Sequence, residues 1–397
     1  MEQAELDALL TREGLNLLDS LDPVETASDV ARSVSRLRAA GHSPGLVSAV
    51  VGQARLRVRA GAKFGDMANR MLFTRAGLEQ ATRLSVAMRH AERMRRAGIV
   101  SVADLGCGIG GDSLAFAGLG MRVHSVDADE VTAAIAAFNL AAFRPECAVS
   151  HGTAEGADLA GVDAVWLDPA RRTGGRTETQ RVGADAYSPP LDWTFDLASR
   201  MPAGVKLGPA HDRDALPEDC EAQWISVDGS TVELVVWTGA LAREGVGRSA
   251  LVLRGDSAHE LTAQTDTEDE PVRELGAYVH EPEGAVIRAR LIGDVARALK
   301  AGPVASGIAY LTGDAAATSP FVSSFRVRET LPADVKHLGK ALRSRGIGTL
   351  EIKKRGVDID PAVLRRKLGL RGDEAATLIL TRIDGKRVAV LADRVQD

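Results

Sequence analysis

The residues whose types and spacing promise chemistry begin with a run of glycines. Val102-Ala103-Asp104-Leu105 is apolar, carries one acid, and opens into Gly106, Gly108, Gly110 and Gly111 before Asp112 and Ser113 start a helical stretch. Glycine lets the backbone take positive φ and lets a ligand approach with no Cβ in the way. A second acid, Asp127, ends the next apolar run 23 residues after Asp104, with Ala128 beside it. A carboxylate at a strand tip accepts both hydroxyls of a ribose through charge-assisted hydrogen bonds. Strand, glycine loop, helix and second-strand acid together are the context that gives a G-x-G pattern meaning. Asp104 then selects among nucleoside ligands. A carboxylate in the loop repels a pyrophosphate and holds an ammonium, so the pattern favours S-adenosylmethionine over a dinucleotide. Asp112 either only caps the following helix or caps it and also meets the ligand. Thr153 and Ala154, after the third strand, stand where an adenine contact is expected, with an ordinary helix cap as the alternative.

VADLGCGIGGD (102–112), SVDAD (125–129) and WLDPARR (166–172) together resemble the class I S-adenosylmethionine-dependent methyltransferases. FTRAGLEQATRLSVAMRHAERM (73–94) resembles the segment before the first strand in trimethylguanosine synthase-like and related bacterial enzymes, where a Glu/Gln-Ala-Thr stretch lies over the cofactor. TLEIKKRGVDIDPAVLRRKLGLRG (349–372) resembles the THUMP-like domain that ends a family of bacterial methyltransferases. The resemblance covers most of the chain and is specific for the cofactor rather than the substrate. It implies S-adenosylmethionine as cofactor, with Gln80 and Thr82 beside it. Around it would stand Asp104, Gly106, Gly108, Gly110, Asp112, Asp127, Ala128, Thr153 and Ala154.

On the acceptor side, the amino-methyltransferases carry (Asp/Asn/Ser)-Pro-Pro-aromatic where this chain has Asp168-Pro169-Ala170-Arg171. An exocyclic amine gives its lone pair to the ring and is a poor nucleophile. A side-chain oxygen and the following main-chain carbonyl accept its two N–H bonds and free that lone pair, while proline fixes the backbone. The aromatic stacks on the extruded base. Asp168 and Pro169 match and are the candidate catalytic pair. Ala170 and Arg171 depart, although an arginine plane can also stack. DPAR is also similar to the DPPR of uridine C5-methyltransferases, which need a cysteine nucleophile. Cys107 lies in the glycine loop, and neither Cys147 nor Cys220 follows a late strand in a suitable motif.

Arg171–Arg181 is a glycine-rich loop with four arginines against Glu178. It either closes over the substrate, with Arg171 and Arg172 gripping phosphate, or is a solvated connection. Lys206, at the end of a later strand, faces the same sheet edge as a substrate-binding candidate. In the tail, residues 340–387 hold thirteen bases against six acids, +7 in a chain whose total is −5. Segregated charge of this kind marks phosphate-backbone binding, with Lys353, Lys354 and Arg355 as the leading contacts. The THUMP-like resemblance implies structured RNA as the partner. The alternative is that this basic face docks on the acidic 255–285 stretch of the same chain.

The elements that must position these residues follow from periodicity. Ala4–Leu10, Val24–Leu37, Leu46–Arg59 and Leu78–Arg96 read as helices. From Ile99 the chain alternates short apolar strands with helices and closes with an Asp228-Gly229-Ser230 hairpin. The fold class expected is α/β: a Rossmann-like class I methyltransferase core with a mostly parallel seven-stranded sheet and late antiparallel hairpin. An N-terminal helical module precedes it and a C-terminal α+β THUMP-like domain follows. The boundaries are 1–96, 97–256 for the core, an acidic connector at 257–284, and 285–397 for the basic domain, whose helices are Ala285–Leu299, Pro332–Arg345 and Pro361–Leu368. At 45% apolar and 26% charged residues the composition excludes wholesale disorder, and 4% aromatics argues against a stacking-dominated single-strand binder. Three scattered cysteines and eight histidines without an HxxxH or HExxH pattern give a metal site no support. No run approaches a membrane span and the N-terminus lacks the basic start of a signal peptide, so a cytoplasmic protein with no membrane partner is expected. The reading is an S-adenosylmethionine-dependent methyltransferase of tRNA or rRNA, acting on a base nitrogen. Its alternatives are a protein or small-molecule methyltransferase, or a catalytically decayed cofactor- and RNA-binding module.

Overall fold

The computed structural model describes residues 1–171, the last by its backbone alone, and 187–395. Met1–Leu207 with Val236–Ala242 make one compact unit, and Gly208–Val235 with Arg243–Asp397 make another.

The first unit begins with α1 (Gln3–Leu9), α2 (Arg12–Asp19), α3 (Ala27–Ala39), α4 (Pro44–Phe64), α5 (Arg75–Gln80) and α6 (Leu84–Arg96). Their starts obey capping chemistry: Thr11, Thr26, Ser43 and Thr74 each accept a backbone N–H with the side chain. The single helix expected over Leu78–Arg96 is two. Ala81 and Arg83 are extended, with ψ of 138° and 139°, and between them Thr82 turns inward. Helical spacing of apolar residues continues across the break, so periodicity alone joins the two.

The chain then runs β1 (Ser101–Leu105), α7 (Gly111–Gly118), β2 (Arg122–Asp127), α8 (Glu130–Asn139), β3 (Cys147–His151) and β4 (Ala164–Leu167). After the short antiparallel pair β5 (Ala170–Arg171) and β6 (Tyr187–Ser188) come α9 (Leu191–Arg200) and β7 (Ala203–Leu207). The strand order β7-β4-β1-β2-β3 is parallel throughout, with Asp104 level with Ser125 on β2 and Trp166 on β4. The order reverses at β1, and ligands of open α/β sheets bind beyond the carboxyl ends of the strands at such a point. Trp166, Trp237, Phe116 and Leu167 are almost wholly buried, each contributing roughly 1.5–3 kcal/mol or more by leaving water. Gly204 has to be glycine here, since a Cβ would lie 2.6 Å from the Trp166 ring.

The second unit holds β8 (Glu221–Val227) and the start of β9 (Ser230–Thr238), joined at Asp228 and Gly229, whose φ of 47° and 83° suits a tight hairpin. Next come β10 (Arg248–Arg254), parallel to β8, and β11 (Ser257–Ala263), antiparallel to β10. The stretch expected as an exposed acidic connector is thus partly sheet, and its acids find partners elsewhere in the same unit. Glu260 pairs with Arg243, and Asp266 with Arg213 and Arg248. The stretch ends in β12 (Tyr278–Pro282), followed by α10 (Gly284–Arg288) and α11 (Ile292–Leu299), which Arg290 at φ 60° keeps from being one helix. The remainder is β13 (Gly302–Pro303), β14 (Leu311–Gly313), β15 (Val322–Pro332), α12 (Val335–Ser344), β16 (Ile347–Lys354), α13 (Pro361–Leu368), β17 (Glu374–Ile383) and β18 (Lys386–Arg394). They form a sheet ordered β13-β14-β12-β15-β18-β17-β16. Leu338, Leu342, Leu364 and Leu368 of α12 and α13 pack with Leu350, Leu378 and Leu391 of the sheet. Asp360, capping α13, and Gly369, ending it in the left-handed region, set that helix where the sequence expects it. Among the described residues no helix is long and apolar enough to cross a membrane.

Candidate active site

The glycine loop leaves β1 with φ of 90°, 55° and 84° at Gly106, Gly108 and Gly110. Gly106 lies against the acceptor segment, since a Cβ there would sit 3.0 Å from the main-chain oxygen of Asp168. At Gly108 a Cβ would meet nothing within 4 Å, so the loop keeps an open face there. The Gly108 N–H donates to Asp127 Oδ2 and the Asp129 N–H to Asp127 Oδ1, both at 2.9 Å. The two bonds aim the carboxylate and leave each oxygen a lone pair. Burial raises the Asp127 pKa, opposed by these two N–H donors.

Asp104 is 1% exposed, and its Oδ2 accepts from Ser113 Oγ, which also bonds Ser125 Oγ at 2.7 Å. Its Oδ1 is buried with no hydrogen-bond partner. Burial first, then the charge of Asp112, pushes the Asp104 pKa up to about 8, against the Ser113 bond. Ser113 has a partner role that the sequence did not signal, visible only as a hydroxyl at the start of the helix after the loop.

Asp112 is not a cap. Gly110 occupies the N-cap of α7, and Asp112 turns back to accept from Thr82 Oγ1 at 2.8 Å and to meet His90 Nδ1 at 2.9 Å. Burial works to raise its pKa, but His90, Lys206 and Thr82 outweigh burial and leave it lowered. Thr82 Oγ1 in turn accepts from Lys206 Nζ at 2.9 Å, and Lys206 Nζ lies 2.5 Å from Asp168 Oδ2. The result is a continuous chain, His90–Asp112–Thr82–Lys206–Asp168. His90 is buried against the Trp166 ring with centroids 4.4 Å apart.

The Gln80-Ala81-Thr82 segment is held against the loop from two sides. Gly77 of α5 packs on Ile109, where a Cβ would lie 2.5 Å from Ile109 Cγ2. Lys63, on the last turn of α4, donates to the carbonyls of Leu78, Glu79 and Ala81 at 2.9, 2.8 and 2.7 Å. Burial and the charges of Arg83 and Lys206 pull its pKa down to about 8. Sequence reasoning missed Lys63, for which a base in a helix's last turn is the only local signal. Asn139 on α8 bonds the Leu72 backbone through both side-chain ends and donates to the Ile109 carbonyl, tying the helical segment to the loop.

Gln80 is exposed at the end of α5, and Ala128 and Thr153 are exposed beyond β2 and β3. Ala154 is buried, and the Gly152 N–H donates to the Asp127 carbonyl at 3.0 Å, which brings the end of β3 beside Asp127. Pro169 is buried. Arg172 and the rest of the arginine-rich loop through Arg181 lie outside the described residues, as does the Arg171 side chain. In the second unit, Lys353 Nζ lies 2.5 Å and Arg355 Nη2 3.5 Å from the Glu281 carboxylate. For these two cations the alternative of docking on the chain's own acids holds. Lys354, by contrast, is exposed, as are Arg366 and Lys367 on α13.

With this geometry in view, the comparisons with known proteins place the chain. It is 33% identical over 365 residues to two Mycobacterium tuberculosis proteins, the uncharacterized S-adenosylmethionine-dependent methyltransferases MT3122 (strain CDC 1551) and Rv3037c (strain H37Rv), covering 88% of this chain and 95% of theirs. The chain belongs to this S-adenosylmethionine-dependent methyltransferase family. A crystal structure of a protein assigned as a methyltransferase, from Porphyromonas gingivalis W83, shares the fold with a TM-score of 0.71 at 19% identity, covering 94% of this chain and all of that one. A model of the THUMP domain-like family matches residues 322–394, and one of a domain of unknown function matches residues 2–60.

The cofactor is therefore S-adenosylmethionine, and the site fits it. An orphaned buried carboxylate oxygen, an open glycine face and a carboxylate aimed by two N–H bonds are the donor and acceptor set that an amino acid joined to a nucleoside requires. Asp104 is also expected to make binding proton-linked. With its pKa pushed up to about 8 it should be mostly protonated at pH 7 in the ligand-free chain, and a methionine ammonium placed beside it would favour its ionised form. Binding below pH 8 should then release about one proton, with affinity rising up to about tenfold per pH unit until that value. Calorimetry at pH 6.5 in buffers of different ionisation enthalpy measures the release, and Asp104→Asn should abolish it. An unchanged proton count in that variant would remove Asp104 from the ammonium's surroundings.

Proposed function

We propose that this methyltransferase modifies a base nitrogen of structured RNA. The observation that carries the reading is the placement of Asp168 at the carboxyl end of β4, its main-chain oxygen 3.0 Å from where a Gly106 Cβ would lie. Side-chain and main-chain acceptors thus stand together at the cofactor loop, which is what a poorly nucleophilic amine needs. When bound, S-adenosylmethionine supplies an electrophilic methyl group on a sulfonium. Asp168 and the adjacent backbone accept the N–H bonds of the amine and orient its lone pair. Asp127 holds ribose hydroxyls, Asp104 the ammonium, and Gln80, Ala128, Thr153 and Ala154 border the nucleoside.

Support for RNA comes from the other unit. The THUMP-like match covers 322–394, and residues 340–387 carry a net +7. With Lys353 and Arg355 engaged by Glu281, phosphate contacts fall first to Lys354, Arg366 and Lys367. A polyanion is attracted by such a surface without base-specific contact. Nucleoside mass spectrometry of tRNA and rRNA from cells with and without the gene tests the proposal. One methylated base should be missing in the deletion and restored by the wild-type gene, and identical nucleoside profiles would overturn the RNA reading.

A further inference from the structure

β7 is an apolar strand with one interruption. Ala203, Gly204, Val205 and Leu207 are buried, and Lys206 stands among them with its side chain 12% exposed. Sequence reasoning places it at the sheet's carboxyl edge as a substrate contact, yet its ammonium faces the protein. It donates to Thr82 and pairs with Asp168. The desolvation of a lysine is costly, and an ion pair to a carboxylate that is one-third exposed returns little stability. Stability is a weak reason for a lysine here.

Position offers a better one. Thr82 belongs to the extended segment held on the glycine loop and bonds Asp112 at the start of α7. Asp168 follows β4 and borders Gly106. Lys206 is the bridge that the described hydrogen bonds draw between the two. Its pairing with Oδ2 of Asp168 sets which edge of that carboxylate is turned to a nucleophile. We propose that Lys206 is a positioning residue of the acceptor site, fixing the Asp168 carboxylate relative to the segment over the cofactor. The proposal rests on the reading of Asp168 as the acceptor carboxylate. Lys206 itself touches no substrate in this account, and it acts through its neighbour.

Its test uses the full chain, methyl-labelled S-adenosylmethionine and an extract of cells lacking the gene, with label counted in RNA, protein and small-molecule fractions. Lys206→Met should lower the saturated rate about thirtyfold, the scale of a misaligned reacting group, with the KM for S-adenosylmethionine changed less than about twofold. In an Asp168→Ala background the same substitution should cost less than about twofold, since residues that act as a unit are non-additive. Lys206→Cys should be as impaired as Lys206→Met, and alkylation to an aminoethyl side chain should restore most of the rate, a rescue that also guards against a misfolded Lys206→Met. Independent, multiplicative losses in the double variant, or a rate loss matched by weakened cofactor binding, would overturn the proposal. A harmless Asp168→Ala would instead overturn the acceptor reading beneath it, and label confined to protein or small molecules would overturn the RNA assignment alone.

Discussion

Replacing Asp168 by alanine is expected to reduce methyl transfer about a hundredfold or more while leaving S-adenosylmethionine affinity within about twofold, the pattern of a group that matters mainly in the transition state. The carboxylate is partly exposed, at 34%, and its Oδ2 lies 2.5 Å from Lys206 Nζ. Asp127 and Asp104, proposed above for the nucleoside and ammonium ends of the cofactor, are different side chains, and Asp168 reaches Asp104 only as one of the lesser charges that raise its pKa. The loss should therefore fall on the chemical step. Single-turnover kinetics at saturating cofactor reads that step, and calorimetry reads the affinity. Asp168→Asn keeps an acceptor oxygen but loses the ion pair, and should fall between the alanine variant and the wild type. Transfer at a near wild-type rate in Asp168→Ala would reduce Asp168 to an acid that orders the loop after β4.

Contiguity decided what could be read beforehand. Asp104, the glycines and Asp127 lie on a strand, its loop and the next strand, and local chemistry makes each of them legible. The chain from His90 to Asp168 draws on α6, α7, the Ala81–Arg83 break and β7, segments as much as 124 residues apart, as Lys206 is from Thr82. No local pattern announces such a contact. Asp112 looked like a helix cap because acids favour first turns, and a tertiary partner, His90, won instead. The break at Thr82 hid for the same reason. β11 is hidden in a run of acids, since only Leu261 and Ala263 of it are partly buried and its Glu260 is neutralised by Arg243 from elsewhere in the chain. In the tail the charge count was readable and the pairing was not: a sum over 340–387 cannot know that Glu281, far outside it, holds Lys353 and Arg355.

Asp127→Ala should weaken S-adenosylmethionine binding by about 2 kcal/mol or more, about thirtyfold, the scale of a lost charge-assisted hydrogen-bond pair. Two losses combine. The ribose hydroxyls lose their acceptors, and the N–H groups of Gly108 and Asp129 lose the carboxylate that each meets at 2.9 Å. Gly108 has positive φ and open space beside it, so its own turn loosens once that bond is gone, while the bonds from Gly106 and Cys107 to the Val126 carbonyl and from Asn139 to the Ile109 carbonyl still hold the rest of the loop. Asp127→Asn separates the two terms. Its side chain keeps one acceptor for a backbone N–H while losing the negative charge and half of the hydroxyl acceptors, so a loss between those of wild type and alanine is expected. The proton release assigned to Asp104 should persist in both variants at whatever affinity remains, because the ammonium end of the site is untouched. Unchanged affinity in a folded Asp127→Ala would place the ribose elsewhere, whereas weakened affinity without proton release would mean that the loop, once loosened, no longer presents Asp104 to the ammonium.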